Sequence, residues 1–188
     1  MRTRRFLIGA AAVALLAGCG ARSLVLRVNL FTFMDPAYRQ TNFGPVPAVP
    51  GGLWTGEVTL INDQSISLLQ GLGDATHVQS VDLTFDAQAI DVDGAGADTV
   101  RLYLSDPATA PQTTPPVIQL PMTLSPGATD TLHVDLAGDP RLVGLFQGKS
   151  MRMSVTTSLR GPSSGNALSG TFKITGFEAV VVAAWKGF

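Results

Sequence analysis

Acidic oxygens crowd most closely in the run Asp91-Val92-Asp93-Gly94-Ala95-Gly96-Ala97-Asp98. Asp91, Asp93 and Gly96 fall at the first, third and sixth positions of a twelve-residue calcium-binding loop. The pattern then departs. Its fifth position is Ala95, and the twelfth, where a glutamate closes the cage with both oxygens, is Leu102. A calcium site built from Asp91, Asp93 and Asp98 would therefore have an affinity of ~10⁻⁴ M or poorer. The other reading is the tip of a hairpin, where glycines take positive φ and aspartates tolerate turn geometry. The vacant ligand positions favour the hairpin. No other cofactor is indicated.

The remaining reactive side chains do not assemble into catalytic patterns. His77 and His133 are the only histidines, and His133 sits between Leu132 and Val134, so it projects from a strand. There is no G-x-S-x-G turn to expose a serine nucleophile. Gly71-Leu72-Gly73 lacks the third glycine and the strand-to-helix setting of a dinucleotide loop. Glu57 and Glu178, the only glutamates, are not brought together by anything in the sequence. Asp82 and Asp86 lie about 13 Å apart along a strand, too far to share a proton. This inventory gives no catalytic residue, and the expectation is a protein that is not an enzyme.

One cysteine excludes a disulfide framework, yet its position has a chemistry of its own. Arg2, Arg4 and Arg5 precede an apolar run from Phe6 to Leu16, which is the layout of a secretory signal and short for a permanent membrane span. Leu16-Ala17-Gly18-Cys19 follows. This segment resembles the lipobox of bacterial lipoproteins. The resemblance implies cleavage after residue 18, diacylglycerol on the Cys19 thiol and acylation, with a chain such as palmitate, of the new amine. Two or three chains at ~0.8 kcal/mol per buried methylene anchor a protein firmly. Gly20 stands where an aspartate would retain such a protein at the inner membrane, so an outer-membrane location is expected in a cell with two membranes.

Removal of residues 1–18 leaves ten Lys and Arg against fourteen Asp and Glu, a formal charge of −4. A mildly acidic body does not seek phosphates, which excludes nucleic acid as a partner and any polybasic attachment to lipid. With 45% apolar and 14% charged residues the 188-residue chain is not disordered, and 20 Gly, 12 Pro and 7% aromatics suit a loop-rich all-β domain.

Alternation supplies the strands. Leu24, Leu26, Val28 and Leu30 share one face, and further strands are expected at 56–61, 78–87, 99–105, 117–124, 131–136, 151–159, 171–175 and 177–185. Pro121 marks an edge or bulge, and Arg101 and Tyr103 are expected to point outward. Val180, Val181 and Val182 suggest a central strand buried on both faces. Residues 34–53 read as an extended, proline-rich crossover, and Asp63 to Gln70 as either a short helix or a strand. Asp139-Pro140-Arg141, then Leu142, Leu145 and Phe146, then Gly148, spell one short connecting helix. Trp54, Tyr38, Tyr103 and Trp185 suit a saccharide surface or ordinary packing equally.

The expected organisation is a cleaved lipoprotein signal peptide (1–18), a lipidated cysteine with a short tether (19–23) and one antiparallel β-sandwich (24–188), immunoglobulin-like in outline. The expected role is a lipid-anchored cell-envelope module that scaffolds or binds a protein partner in the envelope. The alternative is a carrier or sensor of an apolar ligand held between the sheets.

Overall fold

The computed structural model describes residues 23–68, 76–148 and 150–185, the side chains of Thr76 and Trp185 apart. Cys19 and Gly71-Leu72-Gly73 lie outside the described residues. The described residues form nine strands: β1 (Ser23–Asn29), β2 (Gln40–Val46), β3 (Trp54–Ser67), β4 (Thr76–Asp93), β5 (Gly96–Ser105), β6 (Ile118–Leu124), β7 (Asp130–Ala137), β8 (Ser150–Arg160) and β9 (Leu168–Trp185). Among the described residues one α-helix, α1 (Pro140–Gln147), links β7 to β8. The strands make two antiparallel sheets. The first runs β1-β9-β4-β7, with β2 continuing the β1 edge along β9, and the second runs β3-β8-β5-β6.

The sheets pack face to face as the antiparallel sandwich that the alternation predicts. Val81, Leu83 and Phe85 of β4 and Phe177, Ala179 and Val181 of β9 meet Val100 and Leu102 of β5 and Met151, Met153 and Val155 of β8 in one core. Phe85 and Phe177 touch edge to face, with ring centroids 5.8 Å apart. Burying each such side chain contributes about 1.5–3 kcal/mol. At one end the Asp139 carboxylate accepts the Arg141 N–H at 2.9 Å, Pro140 opens α1, and Leu142 and Phe146 enter the core. Gly148 stops the helix with φ −73°, so no left-handed turn is used there.

The structure departs from the sequence reading in four places. Asp93 closes β4 in one sheet and Gly96 opens β5 in the other, so the expected hairpin tip is an arch between sheets. Val180 to Val182 lie on a central strand, but only Val181 faces the core; Val180 and Val182 sit half-buried on the outer face. That strand is one continuous element from Leu168, with Thr175 as the extra residue of a bulge opposite Asp86 and Ala87. The proline-rich 34–53 segment contains β2, which includes Pro45; an edge strand tolerates the missing donor. Of Asp63 to Gln70, left open as helix or strand, residues 63–67 belong to β3, and residues 69–70 lie outside the described residues.

Both ends of the sandwich follow from the register. Ser23 pairs with Ala184, and Ala184 with His77, at one end. The β4–β5 arch lies at the other, where Ala97 pairs with Arg160 and Arg160 with Trp54. Eighteen residues of β4 separate them, roughly 55 Å at the rise of an extended strand.

Candidate functional site

At the arch, two of the candidate calcium ligands, Asp91 and Asp93, are exposed, and the third, Asp98, is buried. Asp91 is exposed and holds φ 53°, a left-handed conformation that aspartate tolerates, at an irregularity in the β4–β9 pairing. Asp93 is exposed, and the Asn166 side chain donates to it at 3.0 Å. Asp98 points into the sandwich at 3% exposure, where the Thr157 hydroxyl donates to its carboxyl. Burial pushes the Asp98 carboxyl up to about 7, against the backbone N–H groups of Thr99 and Ser158 and the charge of Arg101. Gly94 completes the arch at φ 74°; a Cβ there would lie 2.6 Å from the Ala167 carbonyl oxygen. Among the described residues, no group of three or more His, Cys, Asp or Glu side chains is placed to hold a metal ion. The aspartates of this segment shape backbone and core.

On the outer face of the second sheet, β3, β5 and β8 bring together a polar cluster that sequence separation hides. Glu57 Oε1 accepts the Tyr103 hydroxyl at 2.9 Å and the Thr156 hydroxyl, and Arg101 Nη1 lies 3.6 Å away. Arg101 also donates to Ser158 Oγ at 2.7 Å. Gln112, in the connection from β5 to β6, reaches across to Ser154 Oγ at 2.9 Å. Tyr103 points outward as expected, yet it is buried beneath this cover. The Thr156 hydroxyl, then Tyr103 and the Arg101 charge, hold the Glu57 carboxylate below its usual range despite partial burial. Glu57 is thus a fixed anion and an acceptor. Glu178 lies on the outer face of the opposite sheet, paired to Asn29 and Thr84, so the two glutamates flank no common cleft.

His133 projects from β7 as read, onto the outer face of the first sheet. Its Nδ1 lies 2.5 Å from Asp86 and its Nε2 3.1 Å from Asp135. Those two carboxylates raise its pKa. The Thr84 hydroxyl donates to Asp135 at 2.8 Å, not to the imidazole, so no hydroxyl is activated here. The spacing of His133 and Asp135 was legible as one strand face; the approach of Asp86 from β4 was not.

The exposed apolar groups at the arch end are Leu53 and Trp54, 43% and 48% exposed. The Arg160 guanidinium lies over the Trp54 ring, 5.5 Å from its centroid, and donates to the Gly51 carbonyl. Half-exposed Trp beside Arg is a combination enriched in interface hot spots. Of the other aromatics weighed in the sequence, Tyr38 is also exposed, Tyr103 serves the Glu57 cluster, and the side chain of Trp185 lies outside the described residues.

No family model matches the chain, and no curated protein matches it. Among solved structures it is similar to that of the infectious bursal disease virus Gx strain, at 13% identity and TM-score 0.42. The match covers 95% of this chain and 42% of that one. The Gt strain structure gives 15% identity and TM-score 0.40, covering 95% and 42%. The VP2 subviral particle of that virus gives 14% and 0.41, covering 89% and 38%. The chain thus spans about two fifths of the length of these chains. Similarity at this level assigns neither family nor function.

Proposed function

We propose that the protein is a lipid-anchored module of the cell envelope, held at the membrane through acylated Cys19, that binds or scaffolds a protein partner. The observation that carries the reading is the L-A-G-C sequence ending at Cys19, four positions ahead of Ser23, where β1 begins. Four Cα steps reach at most about 14 Å, so the Ser23 end of the sandwich is tied close to the bilayer. The arch end, with Leu53, Trp54 and Arg160, is the opposite one, and it is the surface offered to the partner. This arrangement suits holding a partner in place better than shuttling between membranes. The interior supports binding outside over carriage inside, because Val181, Phe177, Phe85 and Leu102 are fully buried against other side chains.

The test is metabolic labelling with a fatty acid, followed by detergent partitioning. Wild-type protein takes up label and enters the detergent phase, whereas Cys19→Ala takes up none and stays aqueous. An unlabelled wild-type protein would sink the anchor reading.

A further inference from the structure

The outer face of the first sheet is not uniformly polar. Val180, Val182 and Ala184 of β9 point outward at its Ser23 end, and Val25 of β1, 50% exposed, lies directly opposite Val182. Directly paired residues share a face, so these four side chains form one patch of about 14 by 10 Å. Its rim is set by the same register: Ser23 and His77 flank Ala184, Ser80 flanks Val182, and Arg27 and Asp82 flank Val180. Beyond Val180 the face turns polar through Glu178, Thr84, Asp86, His133 and Lys173. A sheet face in water gains nothing from three clustered β-branched aliphatics, and among the described residues β1 is an edge strand with nothing paired outside it.

We infer that this patch rests on the lipid bilayer, at the boundary between headgroups and acyl chains. The inference rests on acylation of Cys19, and chain length selects the occupant. Val25 is six Cα steps from Cys19, so it lies at most roughly 21 Å from the point where the chains enter the membrane. The contact is apolar. Arg27, the cation on the described rim of the patch, is offset by Asp82 and Glu178 on the same face, so neither anionic lipid nor low salt is required. Contact at this end alone leaves the polar half of the face and the arch end in water, which turns Trp54 toward a partner and not toward lipid.

The experiment uses the full, lipidated chain in vesicles of zwitterionic phospholipid carrying a fraction of dibrominated acyl chains. Acylation blocks the Cys19 thiol, so a bimane probe attaches only at an introduced cysteine: Val182→Cys, Val25→Cys, or Thr131→Cys on the polar half of the same face. Bimane at 182 and at 25 is expected to be quenched at least threefold more than at 131, equally at 0.1 M and 1 M salt. Val25→Cys, on an exposed edge, keeps the test valid if Val182→Cys folds poorly. Equal quenching at all three positions in protein whose intact mass includes the acyl chains overturns this inference and leaves the anchor standing. So does a concentration-dependent dimer crosslinked through position 25. An intact mass without acyl chains overturns both.

Discussion

Burial lifts the Asp98 carboxyl to about 7, and that makes stability depend on pH in a stated direction. Its folded pKa lies above its unfolded value, so between about pH 4 and 7 the folded state binds the extra proton and loses stability as pH rises. Asp98→Asn keeps an oxygen to accept the Thr157 hydroxyl and cannot ionise. The variant is expected to flatten that slope and to be more stable than wild type at pH 8 by roughly 2–4 kcal/mol. Urea midpoints at pH 5 and pH 8 measure it; a wild-type midpoint equal at both would contradict the assignment. His133 acts in the same direction at higher pH. Its raised pKa means that its pairing with Asp86 and Asp135 stabilises fully below about 6.5 and is lost as pH rises through the folded value. His133→Gln should remove that second loss, with the Asp98 slope intact. Asp135, held low first by the Thr84 hydroxyl and then by His133, contributes the opposite trend, lost only in acid.

Among the elements, the arch depends most on one residue type. Gly94 combines φ 74° with carbonyl oxygens of Asn166 and Ala167 where a Cβ would stand. Gly127 has the same kind of backbone, φ 70°, with nothing near the Cβ position. Gly127→Ala should therefore cost about 1–2 kcal/mol from backbone conformation alone. Gly94→Ala adds the close approach to backbone and should cost about 3 kcal/mol or more. Chemical denaturation of both variants separates conformation from contact, and equal losses would deny the packing role of the arch. The helix makes a different point about reading sequences. Its cap, its N1 proline and its buried Leu142 and Phe146 were all legible, because a cap and one apolar stripe are local properties. Strand β2 was not, because Gln40 to Val46 lacks alternation and is held by pairing with β9, more than a hundred residues away.

For the molecule as a whole, the Ser23 end and the arch stand at opposite ends of the sandwich, and the core side chains between them are buried against one another. The sandwich domain purified gently without the segment up to Cys19 is expected to carry no stoichiometric apolar ligand by native mass spectrometry. Val181→Trp should destabilise by about 1–3 kcal/mol through overpacking, since Val181 has no exposed surface. A bound lipid displaced by that substitution, with stability unchanged, would favour a carrier instead.

Alternation and turn residues were sufficient by themselves to read an antiparallel sandwich, because side-chain period and turn chemistry are written along the chain. Partnership across sheets is not. The run from Asp91 to Asp98 looks the same in sequence whether it closes a hairpin or bridges two sheets. The choice was decided by pairing of β4 with β7 and β9 and of β5 with β6 and β8, partners distant in the chain. Likewise Val180 to Val182 read as buried on both faces, whereas among the described residues no third layer is stacked on the first sheet and two of them sit half-buried on its outer face. Glu57, Tyr103 and Thr156 met for the same reason: three strands had to take neighbouring places before three hydroxyl and carboxyl groups could share one hydrogen-bonded cluster.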